Sequence, residues 1–240
     1  MFEKMDNKKK DQLWRDFYQG WGKQTYFDDF ISPLSQFIST NKCQGALLDL
    51  GCGDGNKSYI FEKLGFDVTG IDASSTCIEQ AKNKCPTSHF VCKKLQDKLP
   101  FPDNTFDVIF SFSVFQYIDH ESILKECRRV LKHNGHIILI ENLKNNPITK
   151  LGRRYLKLKK FPYQSYPWNH FTKNEIIELK NIFCNVNIKY FHLLTPLAQI
   201  KLFKNLYPFL HYLDKKLLKI KLLEHLSWMV IFTGQNNKGC

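Results

Sequence analysis

Short apolar runs alternate along this chain with segments in which apolar residues recur at helical spacing. The runs occupy residues 46–50, 67–71, 107–111 and 136–141, and each has the length of a buried strand. Segment 119–132 instead predicts a helix that packs on a core, because one of its faces carries Ile123, Leu124, Cys127, Val130 and Leu131. Alternation of this kind predicts an α/β fold, in which a parallel sheet is covered by helices on both faces.

The first predicted strand passes directly into three glycines at alternate positions, Gly51, Gly53 and Gly55. Glycine allows positive φ and lets a ligand lie against bare backbone. A helix that begins near Asn56 would point its first amides at the same ligand. A dinucleotide fingerprint requires a further glycine where this chain has Asn56. The turn therefore indicates a ligand site of another kind.

Two acidic residues indicate what that ligand is. Asp49 stands two residues before the first glycine, where a carboxylate is unfavourable beside a pyrophosphate and favourable beside an ammonium group. Asp72 ends the second predicted strand, where it can accept hydrogen bonds from both hydroxyls of a ribose. Together they favour a nucleoside joined to an amino acid.

Four stretches resemble, in order and spacing, the successive motifs of class I S-adenosylmethionine-dependent methyltransferases. They are residues 49–55 (DLGCGDG), 70–72 (GID), 99–107 (LPFPDNTFD) and 129–136 (RVLKHNGH). The resemblance covers about residues 43–192 and is nearest to the methyltransferase type 11 group, which includes ubiquinone-biosynthesis enzymes. It implies S-adenosyl-L-methionine as cofactor. It also implies a Rossmann-like seven-stranded sheet, mostly parallel with a final antiparallel strand, with helices on both faces and helical substrate-lid insertions. A nucleotide-binding sheet of another kind is the alternative.

The resemblance also implies which residues hold the cofactor. In many relatives an aspartate that binds the adenine amino group stands where this chain has Leu95. Leu95 would flank the ring, and the backbone amide of Gln96 would donate to a ring nitrogen. The full set of implied cofactor-binding residues is Asp49, Gly51, Cys52, Gly53, Asp72, Ala73, Leu95, Gln96, Ser111 and Phe112.

We expect residues 1–240 to form a single methyltransferase domain. Its expected parts are an N-terminal aromatic lid segment at 1–42, a cofactor-binding core at 43–192, basic insertions at 143–168 and 196–226, and a last strand at 227–233. The sequence has no signal-peptide pattern and no apolar run near 18 residues, which indicates a soluble, cytoplasmic protein. The eight cysteines are then expected to be reduced thiols.

The excess positive charge lies in the C-terminal part of the chain. Residues 1–146 hold 19 Lys and Arg against 19 Asp and Glu, whereas residues 147–240 hold 16 against 4. Such asymmetry suggests an acidic partner, although a lysine-rich solvated surface explains it equally well. Leucines at helical spacing in 196–226 predict an amphipathic helix. That helix either packs over the substrate cleft or makes peripheral contact with an anionic membrane.

The chemistry implied by the resemblance is a one-step displacement at a sulfonium, in which alignment supplies much of the catalysis. Neither a catalytic triad nor a metal is then expected. An acceptor that must lose a proton also needs a base, and the candidates are His170, Tyr166 and His192. We expect methyl transfer to a small-molecule, lipid-linked or sugar-linked acceptor, which an anionic group would suit. The alternatives are an RNA methyltransferase, with nucleic acid the weaker partner, and a non-catalytic cofactor-binding interaction protein.

Overall fold

A seven-stranded sheet organises the computed structural model, which describes residues 28–95, 98–158 and 169–237. The strand order is β3-β2-β1-β4-β5-β7-β6. Pairs among the first five strands in this order are parallel, and β7 is antiparallel to both β5 and β6. The strands are β1 (Ala46–Leu50), β2 (Asp67–Asp72), β3 (His89–Cys92), β4 (Phe106–Phe112), β5 (Leu131–Asn142), β6 (Cys184–Phe191) and β7 (Met229–Gln235). The predicted fold class is confirmed.

Helices connect and cover these strands. The α-helices are α1 (Asp28–Thr40), α2 (Asn56–Lys63), α3 (Ser75–Lys84), α4 (His120–Val130), α5 (Pro147–Leu158), α6 (Lys173–Glu178) and α7 (Tyr207–Leu217). Short 3₁₀ helices occupy Phe115–Tyr117, Leu179–Asn181, Thr195–Gln199, Lys201–Leu206 and Lys221–Leu226.

Side-chain caps fix where several helices begin. Ser74 accepts a hydrogen bond from the backbone amide of Cys77 at the start of α3, and Thr172 and Glu175 form a reciprocal capping box at the start of α6. Such caps satisfy amides that have no partner within the helix. The end of α4 differs from expectation, because the extended backbone of Leu131 turns the chain at once into β5. β5 therefore begins five residues earlier than the apolar run at 136–141 predicts.

Alternation along the strands divides most of the core into two large apolar clusters, one on each face of the sheet, and a smaller third cluster forms around Cys52, Ala81 and Phe90. One face of β5 places Ile138 and Ile140 against α1 and α2, while the other places Ile137 and Leu139 against α4 and α6. This is the pattern expected of a sheet buried on both faces. Strand connections run outward in opposite directions from the β1–β4 pair, so a topological switch point lies where β1 and β4 end.

The insertion that contains α7 is attached to the domain by a buried carboxylate. Asp214 accepts hydrogen bonds from the backbone amides of Leu194 and Thr195, at 2.7 and 3.1 Å, and from the Thr195 hydroxyl at 2.9 Å. Leu210, one turn earlier, is also buried. The leucine pattern in 196–226 predicts one apolar stripe of Leu206, Leu210, Leu213, Leu217 and Ile220. Only Leu210 of these is buried, and Leu206 and Ile220 lie outside α7 and are exposed.

The structure also bears on the expected membrane spans, cysteines and domain limits. Within the described ranges, no helix is long and apolar enough to cross a membrane. Six described cysteines are free thiols, but Cys184 is disulfide-bonded, so the expectation of reduced thiols is wrong at that position. Residues 1–27, most of the N-terminal lid segment, lie outside the described residues. The assignment of 1–240 to a single domain stays a prediction.

Candidate functional site

The glycine turn lies between β1 and α2, at the switch point of the sheet. Gly51, Gly53 and Gly55 all have positive φ, at 73°, 53° and 79°, a region that favours glycine. A Cβ atom on Gly51 would lie 2.4 Å from Val114 Cγ2, and one on Gly55 would lie 2.9 Å from Ala81 Cα. A Cβ on Gly53 would meet nothing within 4 Å. The outer glycines therefore fit the turn against the protein, whereas Gly53 faces open space that a ligand can fill.

The carboxylate of Asp72 joins this turn to the end of β2. Its Oδ2 accepts from the Gly53 amide at 3.0 Å, and its Oδ1 accepts from the Ser74 amide at 2.9 Å. An ionised carboxylate has about four acceptor positions, so two amide hydrogen bonds leave capacity for two ribose hydroxyls. Asp72 is half-buried, and its position fits the ribose role that the resemblance implies.

Asp49 is buried beneath the turn and faces α2. Its Oδ2 accepts a 2.6 Å hydrogen bond from the Ser58 hydroxyl. Burial raises the pKa of Asp49 to about 6, although this hydrogen bond and the nearby Lys57 ammonium both oppose the shift. Lys57 Nζ in turn lies 5.0 Å from the centroid of the Phe112 ring. Asp49 thus fixes the start of α2 against β1, and its predicted contact with a cofactor ammonium group stays a prediction.

A second buried carboxyl lies where β4 and β5 end. Glu141 Oε1 accepts from the Ser111 hydroxyl and from the Val114 amide, both at 3.1 Å. Glu141 is 1% exposed, and among the described residues its Oε2 has no hydrogen-bond partner. Burial raises the pKa of this carboxyl to about 8, which favours its protonated form at neutral pH. The Val114 side chain packs closest to Gly51. By accepting from the Val114 amide, Glu141 therefore fixes the residue against which the glycine turn packs.

Sequence reasoning missed Glu141, as well as the residues that hold the end of β4. Ser113 has a positive φ of 56°, and its hydroxyl accepts from Asn142 Nδ2 at 3.1 Å. The available signal was an acid that closes the apolar run at 137–140, since a charged residue in such a position needs partners. Ser111 and Phe112, both predicted at the site, do lie at this strand end.

The remaining implied cofactor residues surround the end of β2. Cys52 is buried, and its backbone amide donates to the Ile71 carbonyl at 3.1 Å. The carbonyl of Ala73 accepts from the thiol of Cys92 at 3.8 Å. Leu95 packs in the apolar cluster that contains Ile71 and Val114. Gln96 lies outside the described residues.

Two of the three candidate bases, His170 and His192, lie within the described residues. His192 is 2% exposed at the end of β6, and its Nδ1 lies 3.0 Å from the Thr195 hydroxyl. Three strands separate β6 from β1 in the sheet. His170 is buried, and Tyr166 lies outside the described residues. Their catalytic roles stay predictions. Over the described ranges, no group of three or more His, Cys, Asp or Glu side chains is placed to hold a metal ion.

Comparison with known proteins gives a consistent result. Residues 48–139 match the profile of a family described as "Methyltransferase domain". Ubiquinone biosynthesis O-methyltransferase of Pelagibacter ubique is 34% identical over 145 residues, which cover 55% of this chain and 58% of that protein. Demethylmenaquinone methyltransferase of Thermotoga maritima is 32% identical over 112 residues, 45% of this chain and 48% of that protein. The chain thus spans about half the length of these relatives.

A solved structure extends the likeness to the fold. The chain is similar in fold to geranyl diphosphate C-methyltransferase from Streptomyces coelicolor A3(2), which was solved in complex with Mg²⁺, geranyl diphosphate and S-adenosyl-L-homocysteine. The two structures superpose with a TM-score of 0.59 at 14% sequence identity, and the match covers 85% of this chain and 80% of that chain. The family match over residues 48–139, the glycine turn and the fold all point to class I S-adenosylmethionine-dependent methyltransferases, the class whose motifs the sequence resembles. S-adenosyl-L-methionine is the cofactor of that class.

The two glycines should respond differently to an added methyl group. We expect Gly51→Ala to lower the free energy of unfolding by about 3 kcal/mol, because overpacking against Val114 adds to the cost of positive φ. Gly53→Ala should cost only about 1 kcal/mol but should weaken binding of S-adenosyl-L-methionine. Urea unfolding and titration calorimetry measure the two quantities. Equal losses of stability in both variants would contradict this description of the turn.

Replacing Glu141 by Gln should change how stability depends on pH. The unfolded chain releases the Glu141 proton near its ordinary pKa of 4.5, whereas the folded chain retains it up to about 8. The parent protein should therefore lose stability as pH rises between these values, by at most about 1.4 kcal/mol per pH unit. Glu141→Gln has no such proton and should lose less.

Urea unfolding at intervals between about pH 5 and pH 8 measures this difference for Glu141. Glu79→Gln, an exposed change on α3, is the matched control and should follow the parent. Parallel curves for the parent and Glu141→Gln would show that the buried carboxyl does not retain its proton.

Proposed function

We propose that this chain transfers a methyl group from S-adenosyl-L-methionine to a small-molecule acceptor, either lipid-linked or anionic. The observation that carries the proposal is the arrangement at the ends of β1 and β2. There Gly53 presents bare backbone to open space, and Asp72 holds its amide while retaining acceptor capacity. This edge of an open α/β sheet is where ligands bind.

When bound, S-adenosyl-L-methionine supplies a methyl group already activated by the sulfonium charge. The protein's task is then to align acceptor, methyl and sulfur. Asp72 would accept from the ribose hydroxyls, and the turn from Gly51 to Gly53 would support the methionine end. Ser111 and Phe112, held at the end of β4, would bound the side of the cleft that the acceptor enters. His170 and Tyr166 stay the candidates for a base at that entrance.

The class of acceptor rests on two lines of support. The relatives are named for ubiquinone biosynthesis, for demethylmenaquinone and for geranyl diphosphate, which favours an acceptor with an isoprenoid or other apolar part. The basic segment after residue 146 favours an acidic group on the acceptor or on the surface that carries it. An acceptor held in a membrane would need the enzyme to approach that membrane, through residues 196–226.

Two alternatives differ from this proposal in their chemistry. The same basic charge would also suit an RNA methyltransferase, since lysines neutralise phosphates. A cofactor-binding protein without catalysis is the other alternative, because Leu95 cannot accept a hydrogen bond from adenine. Turnover of the cofactor distinguishes the last alternative from both enzymes.

One experiment distinguishes all three functions. Methyl-labelled S-adenosyl-L-methionine is incubated with the protein and with cell extract that has been separated into lipid, small-molecule, RNA and protein pools. We expect label in the lipid or small-molecule pool. Label in the RNA pool would support the second function, and label in no pool, with the cofactor bound but not consumed, would support the third.

Asp72→Asn tests the cofactor assignment. The ionised carboxylate would make charge-assisted hydrogen bonds to the ribose, so the neutral amide should weaken S-adenosyl-L-methionine binding by about 10- to 100-fold. The Asn side chain has only one acceptor oxygen, so either the Gly53 amide or the Ser74 amide loses its hydrogen bond. This loss should lower the free energy of unfolding by about 1 kcal/mol. Asp67→Asn, exposed at the start of β2, is the control. A folded Asp72→Asn protein with parental affinity by calorimetry would overturn the ribose assignment.

A further inference from the structure

Helix α7 carries apolar side chains on two opposite faces. Its inner face is packed on the domain by Leu210 and Asp214. Phe209 and Tyr212, 59% and 57% exposed, lie on the opposite face, because they and Lys216 follow at spacings of three and four residues. A surface helix normally has an apolar face toward the core and a polar face toward solvent. The outer face of α7 therefore has apolar content that packing on the domain does not explain.

Exposed apolar side chains are concentrated in the stretch of chain that contains this helix. Of the twelve large hydrophobic residues exposed in the described part of the chain, seven lie between residues 200 and 222: Ile200, Leu202, Leu206, Phe209, Tyr212, Ile220 and Leu222. Leu202 and Leu222 are 82% and 75% exposed. Scattered surface leucines need no explanation, but a concentration of this kind marks an interaction surface.

The charges around these side chains are almost all positive. Exposed lysines lie at positions 204, 215, 216, 219 and 221, and Lys216 Nζ lies 5.5 Å from the centroid of the Tyr212 ring. The two acids of the segment do not offset this charge on the outer face. Asp214 is buried with three hydrogen bonds to Leu194 and Thr195, and Glu224 pairs with Lys173 at 3.6 Å.

We propose that this lysine-rimmed outer face, from Leu202 to Leu222, binds the surface of an anionic lipid bilayer. The exposed leucines and aromatics would enter the boundary between headgroups and acyl chains, and the lysines would lie among acidic headgroups. The proposal deepens the membrane contact of the proposed function, but its test uses no methyl transfer.

The residue types favour a lipid surface over a protein partner. All six cations between residues 200 and 226 are lysines, and none is an arginine. Protein interfaces are enriched in arginine and depleted in lysine, because the guanidinium group forms paired hydrogen bonds with a planar acceptor. Lysine is a flexible point charge that suits mobile headgroups, and its long apolar stem can lie along the bilayer boundary.

Sedimentation with vesicles tests the proposal. The full chain is mixed with vesicles of phosphatidylcholine and phosphatidylglycerol, or of phosphatidylcholine alone, at low and high salt. We expect binding to the mixed vesicles, at least about tenfold weaker binding to neutral ones, and loss of binding as salt screens the lysines.

Two sets of variants locate the surface. Lys215, Lys216, Lys219 and Lys221→Gln together should weaken binding to the mixed vesicles on the order of 100-fold. Phe209→Ser with Tyr212→Ser should weaken it by about tenfold or more. All six side chains are exposed, so circular dichroism and thermal unfolding should match the parent.

Matched controls carry the same chemical changes elsewhere. Lys63, Lys82, Lys180 and Lys189→Gln remove four exposed lysines from other elements, and Ile177→Ser removes an exposed apolar residue from α6. We expect both controls to bind the mixed vesicles as the parent does.

The outcomes separate the proposal from its competitors. Absence of binding to mixed vesicles, or binding that the outer-face variants and controls reduce equally, would overturn it. A parent protein that is dimeric in solution, and monomeric after Phe209→Ser with Tyr212→Ser, would assign the face to a second copy and also overturn it. Cofactor affinity should be unchanged in every variant. If the protein binds vesicles but transfers no methyl group in the labelling experiment, the lipid-binding surface is supported and the proposed methyl transfer is contradicted.

Discussion

The pair of hydrogen bonds from Gly53 and Ser74 to the carboxylate of Asp72 is the interaction on which the site depends. It joins two chain segments that leave adjacent parallel strands, the glycine turn after β1 and the start of α3 after β2. The backbone amides of Gly51 and Cys52 also donate to the Ile71 carbonyl at the end of β2, and the shared carboxylate adds the link at Gly53 itself. The bare backbone at Gly53 is therefore held in place for a ligand.

Two further acidic residues, Asp49 and Glu141, lie in apolar surroundings near the ends of β1 and β5. Asp49 and Glu141 are both buried, and burial raises the pKa of each, to about 6 and about 8. Such groups cost stability when they are ionised. Asp49 lies two residues before Gly51, and Glu141 accepts a hydrogen bond from Ser111, so each is next to a residue that the proposed cofactor would contact. Strongly shifted carboxyls in such a position are typical of functional sites, and here they hold the turn and the end of β4 by hydrogen bonds to Ser58 and Ser111.

The sequence predicted the sheet and the turn well, because each follows from local rules. Apolar runs of strand length predicted β1 and β4, and the three alternate glycines predicted a turn with positive φ, while the binding role of this edge stays a prediction. The limits of β5 were missed because Leu131 pairs with Phe106 across an irregularity in the register, which depends on the neighbouring strand. Glu141 was missed for the same reason, since its partners at Ser111 and Val114 are 30 and 27 residues away. The sequence did not predict which face of α7 packs on the domain, because that face includes Asp214. The spacing of apolar residues cannot predict that this carboxylate is buried.

The attachment of α7 to the domain through the buried carboxylate of Asp214 has an evolutionary consequence. Because Asp214 and Leu210 attach the helix from its inner side, folding places few demands on what the outer side carries. Substitutions of these exposed side chains should therefore change the free energy of unfolding little, which leaves them open to selection for a particular binding surface. The edge formed by Asp72 and the glycines has no such freedom, since the same atoms hold the turn and would contact the cofactor. One chain can therefore acquire new surroundings in which to work while the half that carries the glycine turn stays almost unchanged.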